Sequence, residues 1–418
     1  MSSTTLQADA LPAAPRPGAG GDVRLIALVG VAHGVSHFCQ LLLPPLFPWL
    51  KDAFGVSYAQ LGFLLTIYFV VSCGVQALSG FWVDRYGPRP VLFAGMSLLA
   101  AAAAGMAGST SYGMLALFAV VAGVGNGVFH PVDYTLLNRR VAPARLGHAY
   151  SVHGITGSLG WAAAPALLVP LALASSWRVA LLAAAGVAAT VLMLLLWQRE
   201  HLTVGAPAPR AVPAPEATSA SGTGESKFAF LRLPAVWMCF GFFFFYAGAL
   251  SVVQTFAPQA ARQLHGVPAA TAAMCLTVYM ICAAAGMVAG GFLAKDAARS
   301  ARVVGLAFGC AAMVALSMAW VDVPAWLVPV MFGAMGIAGG VSGPSRDLLV
   351  RRSAPDGASG RFYGVVYGGL DIGQAAVPLF VGLLMDRGEY AGVWVALAVL
   401  QGVLIVNAFN VGRLRRAA

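Results

Sequence analysis

The sequence predicts an all-α polytopic membrane protein: twelve transmembrane helices in two parallel six-helix halves related by pseudo-symmetry. Three observations predict it. The 418 residues are 59% hydrophobic and 10% charged, where a soluble domain carries about 25% charged residues. With a mean hydropathy of +0.80, the chain has too little polar surface to cover itself in water and too little charge to remain disordered. The apolar residues fall in long runs without period-two alternation, which in lipid means helices rather than a barrel. The second half of the chain also repeats the first.

The runs are 24–49, 58–82, 90–108, 112–137, 147–172, 178–198, 233–260, 268–293, 301–321, 324–350, 361–385 and 389–412. Each is close to or above the roughly 20 residues that a spanning helix needs. Residues 1–22 are rich in Ala, Pro and Gly and read as a disordered cytoplasmic N-terminus, without the short hydrophobic core of a signal peptide. Residues 199–232 are dominated by Pro, Ala, Ser and Gly and read as a flexible cytoplasmic linker. It separates a bundle at 23–198 from a second at 233–412, and a basic cytoplasmic tail follows at 413–418.

Basic residues set the orientation. With the N-terminus inside, 20 of the 25 Lys and Arg fall on inner loops and tails, and four (Lys51, Arg178, Arg262 and Arg387) fall outside. The remaining one, Arg346, sits within the tenth run. By the positive-inside rule both termini are cytoplasmic, and a bacterial inner membrane is the expected location. The net charge of +10 therefore meets anionic lipid, and no basic helix points to nucleic acid. Cys39, Cys73, Cys239, Cys275, Cys282 and Cys310 all lie in apolar runs without a CxxC pair, so neither disulfides nor thiolate metal sites are expected.

The repeat has a fixed offset. Shifted by 213 residues, Pro131 to Pro165 falls on Pro344 to Pro378 without a gap, and ten of 35 positions match. Among them are the pairs Arg139/Arg352, Gly147/Gly360, Tyr150/Tyr363 and Gly160/Gly373. Pro45 falls on Pro258 at the same shift. An offset spanning six helices keeps the repeats parallel.

The loop after the second run holds Gly80, Asp84, Arg85, Gly87 and Arg89. Its glycines allow a close helix approach and a tight turn, and Asp84 can face a helix N-terminus or a basic partner. The loop resembles the Gly-x-x-x-Asp-Arg-x-Gly-x-Arg loop of the major facilitator superfamily, and the resemblance implies that Asp84, Arg85 and Arg89 belong to a cytoplasmic gate. The second-half copy, Gly290, Gly291, Lys295 and Asp296, is degenerate. A narrower resemblance, to the fosmidomycin-resistance-like branch, rests on two stretches. The first run has His33, His37 and Phe38 ahead of a Leu-Pro stretch ending at Pro48, and the fourth has Phe129, His130 and Pro131. The fifth run departs from drug antiporters: it has Gly154, Gly157 and Gly160 but no Gly-Pro dipeptide.

Ionisable side chains inside a membrane are costly and mark functional sites. His33 lies nine residues past Arg24, about 14 Å deep at 1.5 Å per residue. His130, His153 and Asp371 lie at similar spacings from Arg139, Arg145 and Arg361, near the level where transporter sites sit between the halves. These four are the candidates for proton coupling or substrate contact. Asp371 stands out because Tyr367, Asp371 and Gln374 share one helix face, and a carboxylate sheltered from water can exchange a proton near neutral pH. His37, Gln40, Asn126, Gln254, Tyr367 and Gln374 are cavity candidates, with Gln76 and Tyr246 beside them. Arg346 and Asp347, close to Arg351, are expected to be shallow and at the gate. Asp133 maps onto Arg346 under the repeat, so these two are expected to form a closing salt bridge.

The resemblance implies a secondary transporter with alternating access, proton-coupled and exporting a small drug-like or anionic molecule. The alternative within the class is a proton-coupled importer of a carboxylate or other small metabolite. The alternative of another class is a membrane enzyme using the histidines for metal or haem. His33 and His37 have i, i+4 spacing, but no carboxylate or cysteine joins them in sequence, so no metal or cofactor is expected. No GxxxxGK[ST] motif indicates direct use of ATP. A monomer satisfies the fold, with substrate, protons and lipid as its partners.

Overall fold

The structure, a computed structural model, describes residues 19–203, 232–293, 299–353 and 360–417; for residues 19, 347–353, 360–364 and 411–417 it describes the backbone alone. Every regular element among them is helical. Helices satisfy all their backbone polar groups internally, which is the condition for crossing lipid.

Three of the predicted spans are broken. The first comprises α1 (Ala19–Gln40) and α2 (Phe47–Phe54) around a 3-10 turn at Pro44–Leu46. The second and third are α3 (Tyr58–Tyr86) and α4 (Pro88–Ala107). The fourth is split into α5 (Tyr112–Asn126) and α6 (Phe129–Arg140), and α7 (Leu146–Ala174) and α8 (Trp177–Trp197) complete the first half. The second half runs through α9 (Pro234–Thr255), α10 (Ala257–His265), α11 (Ala269–Leu293), α12 (Ser300–Trp320), α13 (Val328–Ser353), α14 (Gly360–Asp386) and α15 (Tyr390–Ala417). Eleven helical stretches are long and apolar enough to cross a membrane; α13 coincides with the remaining predicted run. The breaks fall beside prolines, which lack the N–H that a continuous helix requires. Pro131, for example, leaves the Gly127 carbonyl without its helical donor, and the Ser79 hydroxyl takes that place at 3.3 Å.

The two halves use the same pairings. In the first, α1 packs on α7, α3 on α5 and α4 on α8; in the second, α9 packs on α14, α11 on α13 and α12 on α15. The matched glycines explain one pairing. A Cβ at Gly160 would strike the Gly34 carbonyl oxygen, and one at Gly373 would strike that of Phe244. Both glycines therefore let a partner backbone approach as no larger residue could.

The halves meet through α3 with α14 and α7 with α11. Thr66 donates to Ala375 O at 2.5 Å and Thr277 to Ala162 O at 3.0 Å. Asp386 accepts the backbone N–H groups of Tyr58 and Ala59 at 2.7 and 2.9 Å. These bonds lie in the half of the bundle away from the chain termini.

Several expectations shift at the edges. Helix α1 begins at Ala19, so residues 19–22 are ordered; buried Asp22 accepts Arg145 at 2.5 and 2.8 Å and the Ala142 N–H at 3.1 Å. Residues 1–18 lie outside the described residues. The expected linker starts as a 3-10 turn, Arg199–Leu202, with Leu202 buried, held by Arg24 to His201 at 2.9 Å and by Arg140 to the Thr203 carbonyl; residues 204–231 lie outside the described residues. So do Lys295 and Asp296, and the side chains of Asp347 and of the basic tail. None of the six cysteines forms a disulfide, and Cys310 is exposed.

Candidate functional site

A cavity of about 340 Å³ opens between the halves. Its first-half wall comes from three helices. On α1, His33, His37 and Gln40 are three to four residues apart and share a face. The α5–α6 break presents Asn126, His130 and Tyr134, and α7 adds His153 and Trp161. Trp161 Nε1 donates to Gln40 Oε1 at 2.9 Å, Gln40 Nε2 to Asn126 Oδ1 at 3.2 Å, and Asn126 Nδ2 to Ser72 Oγ at 2.8 Å. This chain fixes the amides in one orientation and leaves no donor stranded.

Beside it the histidines converge. His33 stacks on His153 with ring centroids 3.5 Å apart, His37 lies 4.3 Å from His33, and His130 lies 5.2 Å from it. Asp133, fully buried, places Oδ2 3.0 Å from His33 Nδ1 and 3.1 Å from His153 Nε2. Asp133 thus faces the histidines, where the sequence suggested a gating bridge to Arg346. Room for the rings depends on Gly157, where a Cβ would come within 2.8 Å of the His37 ring and 3.1 Å of His33 Nε2.

The second-half wall carries both signs of charge. Tyr367, Asp371 and Gln374 all line the cavity from α14, as their shared helix face requires. Asp371 is half-buried and lies beside the Cys73 thiol of α3, so it sits at the seam between the halves. Arg346 also lines the cavity, its guanidinium 4.2 Å from the Tyr246 ring centroid and 5.5 Å from that of Phe243. The sequence suggests a shallow vestibule for Arg346, and the structure corrects this. Depth counted along a straight helix from Arg351 takes no account of the long side chain, which follows the aromatic rings of α9 into the cavity.

Gln76 and Tyr246 line the cavity as expected. Gln254 does not: it is buried at a small crevice with Pro44, Pro48 and Pro258 near the outer seam. Trp161 and Gln401 are cavity residues that sequence reasoning missed; Trp161 is the repeat partner of Gln374 at the 213-residue offset, a signal that could have found it.

The loop from Gly80 to Arg89 lies away from the cavity. The Asp84 side chain is 75% exposed and pairs with Arg139 at 3.5 Å, which supplies the basic partner expected for it. Arg85 covers the Tyr86 ring at 5.3 Å, and Arg89 is partly exposed. Gly87 has φ +81° and makes the turn into α4, whereas a Cβ at Gly80 would meet open space, so no close helix approach depends on Gly80.

Comparison with known proteins agrees with this architecture. The sequence profile of the Major Facilitator Superfamily matches residues 29–334 and 251–416. The chain is 26% identical over 143 residues to the fosmidomycin resistance protein of Escherichia coli (strain K12), covering 34% of this chain and 35% of that protein. It is 23% identical over 157 residues to a probable sulfoacetate transporter of Cupriavidus necator, covering 37% of this chain and 36% of that protein. The alignments thus span about a third of these relatives. Among solved structures, a bacterial homologue of the human lysosomal transporter Spinster, inward-facing and unoccupied, superposes with TM-score 0.74 at 15% identity, covering 95% of this chain and 98% of that one. A point mutant of the nucleoside transporter NupG superposes with TM-score 0.72 at 14% identity, covering 93% and 99%.

Proposed function

Because the chain belongs to the Major Facilitator Superfamily, we propose that it exports a small organic molecule from the bacterial cytoplasm by alternating access, driven by protons. The observation that carries this reading is the placement of Asp371. It lines the cavity and lies beside Cys73 on α3 of the opposite half. A proton arriving at that carboxylate alters a contact between the two bodies that must move, so protonation and rocking are coupled there.

The positive-inside bias puts the termini in the cytoplasm. The bonds across the seam then lie on the periplasmic side, and the cavity belongs to an inward-facing state able to load from the cytoplasm. Arg346 supplies a fixed positive charge in the wall, which suits a substrate with an anionic group. That same charge supports a second reading, import of an organic anion, since one relative is a probable sulfoacetate transporter and another is an oxalate:formate antiporter.

The test is a susceptibility panel, fosmidomycin included, in an efflux-deficient bacterium that carries the wild type or Asp371→Asn in its membrane at equal levels. Protection by the wild type alone is expected. No protection against any compound, together with uptake of an organic acid by the wild type, would replace export with import.

A further inference from the structure

Asp133 is a fully buried carboxylate whose ionic partners among the described residues are both histidines. Buried carboxylates are found paired with a cation or bound to a metal, and a histidine can serve as the cation or as a ligand of the metal. The arrangement of the side chains resolves this. His33, His130 and His153 each bring one ring nitrogen to within 4.8 Å of the others. Asp133 Oδ2 lies 3.0 and 3.1 Å from nitrogens of His33 and His153. His33 Nδ1, despite that short distance, makes no hydrogen bond, and neither do the buried His130 Nδ1 and Asp133 Oδ1.

We propose that His33, His130 and His153 form a binding site for a divalent transition-metal ion of the zinc class, with Asp133 hydrogen-bonded to His153 beside them. Two donors bonded to one ion at about 2.0–2.1 Å in tetrahedral geometry lie roughly 3.3 Å from each other, a separation within reach of the three nitrogens, which already lie within 4.8 Å of one another. Asp133 Oδ2 is hydrogen-bonded to His153 Nε2 at 3.1 Å and so orients that ring, as a carboxylate does for a metal-binding histidine, while His33 Nδ1 and His130 Nδ1 make no hydrogen bond. Three imidazole nitrogens suit zinc and its neighbours rather than calcium or magnesium, which take oxygen. Small ring rotations from the His33–His153 stack bring the nitrogens onto the ion. One divalent charge also balances the buried carboxylate. The ligands lie on α1, α6 and α7, at 33, 130 and 153, so no short motif in the chain announces them. The proposal concerns binding alone and stands apart from the direction of transport and from the role of Asp371.

Metal binding to the full-length protein in detergent tests it, with the protein prepared without a polyhistidine tag and stripped with chelator. Titration with Co²⁺ is expected to give one equivalent and the visible ligand-field bands of a four-coordinate site, with Zn²⁺ displacing the cobalt. His130→Gln and Asp133→Asn are each expected to weaken binding at least about tenfold, since even residues that only support a ligand change affinity by 10- to 100-fold. His265→Gln, whose ring contacts the Met318 carbonyl on the other half, is expected to bind as the wild type does. A folded, monodisperse wild type that takes up no stoichiometric metal would overturn the proposal, leaving the cluster as a hydrogen-bonded proton store. So would binding that neither His130→Gln nor Asp133→Asn alters. If Asp133→Asn fails to fold, His130→Gln alone decides.

Discussion

Thr66 on α3 donates its hydroxyl to the Ala375 carbonyl on α14, 2.5 Å across the seam between the halves. The repeat makes the same bond in reverse. Ala162, which falls on Ala375 at the 213-residue offset, accepts from Thr277 of α11 at 3.0 Å. Each bond joins moving bodies at a backbone carbonyl, so each must break for the outer side to open. A neutral hydrogen bond contributes about 1 kcal/mol. Thr66→Val and Thr277→Val are therefore each expected to favour the outward-open state about fivefold. Alkylation of Gln259→Cys, a position beside Tyr58 across the seam, measured in a background without other cysteines, checks this: labelling is expected to speed up in each variant.

Asp386 adds a stronger latch. It accepts the first two free N–H groups of α3, where the helix dipole also favours a negative charge. Ser57 and Gln60 already cap this end within the first half, so Asp386→Ala is expected to leave α3 intact and lower only the stability of the closed outer side, by about 1–2 kcal/mol. Spin-label distances between the outer ends of α3 and α14 are expected to broaden toward longer values, with an unchanged thermal midpoint.

The glycines at matched positions make a separate prediction about stability. Gly160→Ala and Gly373→Ala each push a methyl group into a neighbouring backbone carbonyl. Overpacking of this kind costs about 1–3 kcal/mol, so both variants are expected to melt earlier than wild type in detergent. Gly154→Ala, where a Cβ meets open space, is the matched control and is expected to melt as the wild type does.

Arg346, in the cavity wall, is expected to set charge preference under the proposed function. Arg346→Gln is expected to weaken binding of an anionic substrate at least about tenfold, the usual scale for a lost charge-assisted contact of about 1.5–3 kcal/mol. Arg346→Lys keeps the charge but loses the planar fork, and is expected to fall between the two. Competition assays with a neutral analogue separate charge from shape: the neutral compound is expected to lose little in either variant.

The fold is legible in the sequence because membrane helices are specified by local composition and the halves by a repeat in register. Tyr367, Asp371 and Gln374 are legible as one cavity face because they share a helix, where spacing alone decides what is adjacent. The Asp133 cluster is not, because its members come from three helices and their meeting depends on Gly157 leaving space between α1 and α7. Arg346 escapes because depth along a straight helix ignores the reach of an arginine over aromatic rings. Gln254 escapes because the break after Thr255 turns the chain toward the outer crevice, a consequence of Pro258 that hydropathy does not record.

The central claim is that Asp371 couples proton movement to transport. The direct measurement is substrate flux in proteoliposomes with an imposed pH gradient, using a compound identified by the susceptibility panel, for wild type and Asp371→Asn. The wild type is expected to accumulate substrate against its gradient only while the pH gradient lasts. Asp371→Asn is expected to lose that accumulation while still exchanging labelled for unlabelled substrate. Uphill accumulation by Asp371→Asn equal to that of the wild type would contradict the account.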